Sequence, residues 1–445
     1  MRALGLTALC LACVLPTARA LDLHEAWERI QSQGPIYLSA LHERDAAREN
    51  LPIGRAGLLP QVNLNAYQSR INGTQRQPDV FGNSHDVDLN YTAKNAVVQA
   101  RQPLFDKAKL AAYRQGRLQA QMGDAVFDAK TQDVAVQLAG RYFDVLLAEQ
   151  TIELSEAKLR AFEEQVISTT RRFQLGDGTV TDVDLSTARR DLARAELIEA
   201  RDNLLVARRL LEEYIGETPS SVATLREDFP TPPMHPETLA EWQALARRDN
   251  PNIIARRYGV GVAEQEVAKA RAGHWPTLDL VAGYTAADSE SLSTIDQRNR
   301  YSSIGVELSV PLYAGGGTSA RVRQTSASQE QAEEDLNATR ESVLSKTTRE
   351  FQGVQEGAAR VRALEVAVKS NGKAVESSKK SFRYGSSTNT DILDSEQQLY
   401  SARRDLFEAK LRYLLARLSL VAQAGALGQD DIDQVNGYLG PEMRF

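Results

Sequence analysis

Leu138, Val145, Ile152, Leu159, Val166 and Phe173 fall seven residues apart without a break. Apolar residues at every seventh position form a seam on a helix that another helix must cover, as in a coiled coil. Between Pro103 and Gly176 there is room for one helix of about 70 residues, roughly 105 Å at 1.5 Å per residue. Ordinary helices average about 11 or 12 residues. The stripe is narrow, because Ala148 and Ser155 beside it are small and Glu149 and Glu156 are charged. The chain is therefore predicted to build an elongated helical object whose helices touch neighbours on both flanks.

The same series recurs. Val354, Val361, Val368, Val375 and Phe382 repeat it 209 residues later, and return helices carry Leu197, Leu204 and Leu211 in one copy and Leu406, Tyr413 and Leu420 in the other. Arg55-Ala56-Gly57-Leu58-Leu59-Pro60 reappears as Arg271-Ala272-Gly273-His274-Trp275-Pro276, and Pro103-Leu104-Phe105 as Pro311-Leu312-Tyr313. The offset falls from 216 to 208 between these motifs, so the first copy carries about eight extra residues around Asn72 to His85. An exposed loop tip is the expected place for them. The chain thus reads as a signal peptide at 1–20, a first repeat at 21–217, a Pro-rich linker at 218–236, a second repeat at 237–426 and a tail at 427–445. Two copies are too few for a solenoid.

Each repeat opens with helix and continues with two extended segments. Val62, Leu64 and Ala66 alternate with Asn63 and Asn65, and Val87, Leu89, Tyr91 and Ala93 alternate with Asp88, Asn90 and Thr92. Leu278, Leu280 and Ala282, then Ile304, Val306, Leu308 and Val310, do the same in the second copy. Period-two alternation predicts strands whose faces meet different media. Four strands cannot close a membrane barrel, and lipid does not tolerate open edges, so strands in lipid require several protomers. Alternation alone leaves a four-stranded soluble sheet equally open. The Tyr438 to Phe445 tail does not alternate and is not read as a strand.

The N-terminus decides the compartment. Arg2, the apolar run Ala3 to Leu15 and Ala18-Arg19-Ala20 form a secretory signal peptide cleaved after Ala20. Cys10 and Cys13 lie inside it, and the residues before Cys13 do not form a lipidation box, so the mature chain has neither disulfide nor thiolate metal site. Its 51 basic and 59 acidic residues argue against a nucleic-acid binder. A mean hydropathy of -0.39 and the lack of long apolar runs exclude a helical-bundle membrane protein. The five histidines have no metal-ligand spacing, no catalytic constellation appears and no cofactor is implied.

Signal peptide, duplication, the Arg-Ala-Gly-x-x-Pro and Pro-Leu-aromatic motifs, and a Phe-x-x-Gly-x-x-Thr-x-x-Asp turn at Phe173–Asp182 and Phe382–Asp391 together resemble the TolC family of outer-membrane efflux proteins. The resemblance spans nearly all of the mature chain. It implies a mainly α fold with β: a homotrimer, four strands per protomer in one outer-membrane β-barrel, continued by a periplasmic α-barrel of long helices. It implies a passive exit duct, served by a periplasmic adaptor (membrane fusion) protein and an inner-membrane ABC or proton-driven transporter, for drugs or secreted polypeptides.

The functional residues follow from the same resemblance. Asp391 and Asp394 match the family's acidic pore constriction, Thr181 and Asp182 match positions that hold the entrance shut, and Gly176, Asp177, Gly178, Gly385 and Ser386 match the adaptor-contact tips. Read from the residues alone, acids at a helix start are caps; in a trimer they become carboxylate rings that attract cations. Phe382 and Ser387 stand where well-studied members carry a latching tyrosine and arginine. The acidic ring is therefore expected to survive and the latch to differ, with Arg172 or Arg383 as nearby replacements. The competing reading is a soluble periplasmic coiled-coil adaptor or spacer; duplication of the strand pair favours the duct.

Overall fold

A computed structural model describes residues 20–444 apart from 79, 218, 220, 227, 292 and 293. Residues 1–19, with the expected signal peptide and both cysteines, lie outside the described residues. The chain runs α1 (Leu23–Gln33), α2 (Pro35–Arg48), α3 (Asn50–Ala56), β1 (Gln61–Pro78), β2 (Ser84–Phe105), α4 (Lys107–Gln174), α5 (Val180–Ile215) and β3 (Ser221–Leu225). It continues through α6 (Leu239–Asp249), α7 (Pro251–Ala272), β4 (Thr277–Ser291), β5 (Thr294–Ser309), α8 (Gly317–Arg383), α9 (Asn389–Gln423), α10 (Gln429–Asn436) and β6 (Leu439–Arg444). The order strand, strand, long helix, return helix occurs twice. α4 and α8 have 68 and 67 residues without a proline, so nothing in the backbone breaks either.

Two compact units are present: Met1–Ala40 with Ala129–Asn250 and Val343–Phe445, and Leu41–Asp128 with Pro251–Ser342. Each sequence repeat feeds both, so the repeat is not the folding unit.

The second unit holds an antiparallel sheet in the order β1-β2-β4-β5. The register gathers Val62, Leu64 and Ala66 opposite Ala100, Val98 and Ala96. Ala282, Tyr284 and Ala286 of β4 lie across from these, and Leu280 and Leu278 pair with Val306 and Leu308 of β5. This belt is bare: Leu64 is 67% and Ile304 77% exposed. The other face carries Asn63, Asn65, Gln99, Thr285 and Ser303. There Arg101 bridges Asp279 at 3.0 Å and Glu307 at 2.5 Å.

Two expectations change here. Val87, Leu89, Tyr91 and Ala93 do not extend the belt, because they pair with Gln75, Gly73, Ile71 and Ser69 and so point to the opposite face. A period of two makes the face a matter of parity, and β2 changes its apolar side midway without a register slip. The extra residues of the first copy, in turn, form paired strand rather than a loop. β1 and β2 have 18 and 22 residues, against 15 and 16 in β4 and β5. The junctions to the long helices differ as well. Asp106 accepts from the Ala108 and Lys109 N–H groups at the start of α4 (2.8 and 3.0 Å), whereas Gly315 and Gly316 turn into α8 at positive φ, where side chains are strained.

In the first unit the seam is tightest at Leu138, Val145, Val354, Val361, Tyr413 and Leu420, all buried. They share a core with Leu23, Ala26, Trp27 and Ile30 of α1. Toward the helix turns Ile152, Leu159 and Val166 are half-buried and Phe173 is exposed. The linker and tail contain a small sheet that the sequence did not announce. β3 pairs with β6, and Leu21 bridges Val222. The buried Tyr142 hydroxyl shares its proton between the Leu21 and Ala223 carbonyl oxygens at 2.9 and 2.8 Å, and burial pushes its pKa up. Since Leu21 still accepts from Ala223 N–H, Tyr142→Phe is expected to destabilise by about 1 kcal/mol, read as a lowered denaturation midpoint.

Candidate functional site

The two helix turns close alike. Gly176 and Gly385 take φ of 80° and 75°, and the N–H groups of Asp177 and Ser386 donate five residues back to the Arg172 and Ser381 carbonyls (2.9 and 3.0 Å). Positive φ selects glycine at both places. Gly178 is tight as well, since a Cβ there would meet the Phe173 nitrogen at 3.1 Å. Asp177 and Ser386 are exposed.

Reciprocal caps start both return helices. Asp182 N–H donates to Thr179 Oγ1 (3.2 Å), while Asp182 Oδ2 accepts from the Thr179 hydroxyl (2.7 Å). In the second turn Asp391 Oδ2 accepts from Thr388 N–H (2.7 Å), the Thr388 hydroxyl (2.8 Å) and the Ser387 hydroxyl (2.8 Å). The Thr388 N–H foremost, then the two hydroxyls, hold the Asp391 carboxyl below the usual carboxylate range. Asp391 is thus a cap, as the residue-level reading expects, and also an exposed anion.

Asp394 has a different partner: Arg189 of α5 donates to its Oδ1 at 2.9 Å. Arg172 lies 4.3 Å from the Phe382 ring centre and its guanidinium donates to the Asp177 carbonyl at 3.4 Å. Phe382, which cannot donate a hydrogen bond, is engaged through its ring face. Ser387 serves Asp391. Thr181 is exposed on the first turn of α5 and is not drawn into this group.

The contact that sequence reading missed is Asn389. It is 1% exposed, and its amide donates to Ser186 Oγ (2.9 Å) and the Asp182 carbonyl (3.3 Å), while its oxygen accepts from Gln165 at 2.5 Å. Just beyond, Leu393 packs against Phe162 and Ala193, each at most 1% exposed. Asn389 therefore ties α9 to both α4 and α5. Its position beside Thr388 resembles ordinary cap chemistry, and no periodicity marks it. Arg189 and Asp394 are 205 residues apart, off the 209-residue repeat, so the duplication gave no hint of their pairing either. Among the described residues no group of acidic, histidine and cysteine side chains is arranged to hold a metal.

The model of the family described as outer membrane efflux protein matches residues 29–217 and again 242–426. The chain is 34% identical to the proteases secretion protein PrtF of Dickeya chrysanthemi, over 95% of this chain and 92% of that one. It is 34% identical to the alkaline protease secretion protein AprF of Pseudomonas aeruginosa (94% and 87%) and 27% identical to the outer membrane protein TolC of Escherichia coli (95% and 86%). The fold is similar to that of the outer membrane protein VceC of Vibrio cholerae, with a TM-score of 0.78 at 19% identity over 91% of this chain and 96% of that one.

Proposed function

As the chain belongs to the outer membrane efflux protein family and is an outer-membrane export channel, we propose that three copies close one barrel and one tunnel. The observation that carries this is the sheet: an exposed apolar belt on one face, a polar face behind it, and edges at β1 and β5 that have no second strand among the described residues. In lipid those edges must pair with another copy, because unsatisfied backbone groups are not tolerated there. The apolar belt then meets lipid, and Arg101 and Glu307 meet water in the lumen while Asp279 stays buried against Arg101. The half-buried seams near the turns would likewise be covered by neighbouring copies.

The turns form the periplasmic entrance. Asp391 and Asp394 constrict it, Thr181, Asp182, Phe382 and Ser387 belong to its closure, and Gly176, Asp177, Gly178, Gly385 and Ser386 present the surface to a periplasmic adaptor. An inner-membrane transporter supplies the energy. Two relatives named for protease secretion support a secreted polypeptide as cargo. Removing the protein from its cells is then expected to empty the medium of that polypeptide.

In planar bilayers, Asp391→Ala with Asp394→Ala is expected to lower cation selectivity and weaken block by multivalent cations. Unchanged currents would refute the entrance assignment. The pH dependence has a definite sign. Because the Asp391 pKa is lowered, its carboxylate keeps its charge to lower pH than an ordinary aspartate, and the share of the cation preference that it carries is lost only on acidification below the usual carboxylate range.

A further inference from the structure

Asp391 and Asp394 stand three residues apart on one helix, yet their charges are treated differently. Asp391 is held by neutral donors of its own turn, Ser387 and Thr388, which leave its negative charge uncompensated. Asp394 is met by the guanidinium of Arg189 from α5. That encounter is arranged by packing: Leu393, the residue before Asp394, is fully buried against Phe162 and Ala193, and Asn389 binds the start of α9 to Ser186. The pair is itself partly exposed, 34% and 50% for the two side chains. Such a pair contributes little to holding helices together, so its consequence is electrostatic rather than structural.

We infer that Arg189 sets the charge selectivity of the entrance, by neutralising Asp394 while α9 lies docked on α5 and exposing it when α9 moves away. This rests on the reading of the turns as the pore entrance. In the docked state the constriction then presents one effective carboxylate per protomer, that of Asp391. Undocking doubles it, so the open entrance attracts cations and positively charged cargo segments more strongly than the closed one. The device needs no added group, because the same helix movement that widens the passage separates Arg189 from Asp394.

The test uses the purified full-length channel in planar bilayers, with the reversal potential in a KCl gradient and block by the lanthanum ion as readouts. Arg189→Gln is expected to raise the potassium-to-chloride permeability ratio and tighten lanthanum block about tenfold. Arg189→Lys, which keeps the charge, is expected to behave as the parent. Asp394→Asn alone is expected to change little in the docked state, but to reverse the gain in the Arg189→Gln background. Single-channel conductance separates this from unlatching, since Arg189→Gln should alter selectivity at near-parental conductance. An unchanged or lowered selectivity in Arg189→Gln would overturn the inference. So would a loss in Asp394→Asn as large as that in Asp391→Asn. If Asp391→Asn also changes nothing, the entrance reading itself has failed and this inference falls with it.

Discussion

Asn389→Ala is expected to shift the channel toward its open state, seen as a severalfold rise in mean conductance in planar bilayers and entry of large antibiotics into cells. Asn389 is a buried side chain near the turns that bonds to both helices of the neighbouring hairpin, through Ser186, Asp182 and Gln165. Removing it leaves the half-buried Gln165 amide without this acceptor and takes the two amide donations from Ser186 and the Asp182 carbonyl. Ser186, in contrast, still donates to the Asp182 carbonyl at 2.8 Å. Losing such a hydrogen bond costs about 0.5–1.5 kcal/mol net, which is roughly a 2- to 10-fold change in the docked-to-undocked ratio of each protomer for each bond lost. The Arg172 contact with Phe382 remains, so the hairpin is expected to loosen rather than unfold. Parental conductance in Asn389→Ala would remove Asn389 from the closure.

Leu64→Arg is expected to abolish accumulation in the outer membrane, whereas Asn65→Arg, one residue along the same strand, is expected to be tolerated. Leu64 lies on the bare apolar belt opposite Val98, and Asn65 lies on the polar face opposite Val97. A charge on the lipid face of a barrel strand costs up to about 2–4 kcal/mol, depending on depth, and the proposed trimer would incur it three times. The face proposed to line the lumen already carries Arg101 and Glu307, so another cation there would meet water and a carboxylate. Membrane fractionation and gel analysis of the oligomeric state provide the readout. Insertion of Leu64→Arg with loss of Asn65→Arg would reverse the assignment of the two faces.

Much of this architecture was legible before any coordinates. The unbroken seven-residue series from Leu138 to Phe173 lies within one uninterrupted helix. The Thr-x-x-Asp pattern after each glycine became a reciprocal cap at Thr179 and at Thr388. Such features are local: a seam, a cap and a left-handed glycine are each written in fewer than a dozen consecutive residues. Alternation was legible too, but its face was not. Val87 to Ala93 alternate as cleanly as Val62 to Ala66, and only the pairing shows that they lie on the other side. The tail escaped because β6 owes its strand to β3 and not to a pattern of its own.

By itself, the sequence determined an exported, duplicated chain with two very long helices, four alternating strands and two glycine turns capped by acids. These follow from backbone sterics and from the periods of helix and strand, which act between near neighbours. Only the tertiary structure decided which strand face is bare, that Asn389 joins three helices, and that Arg189 rather than a turn residue meets Asp394. The Asn389 and Arg189 contacts join residues 203 to 224 positions apart, and the strand face is set by pairing across the whole β1–β2 hairpin. A hydrogen bond or ion pair across such a distance leaves no local pattern, because its two halves are brought together only by the packing of the helices that carry them.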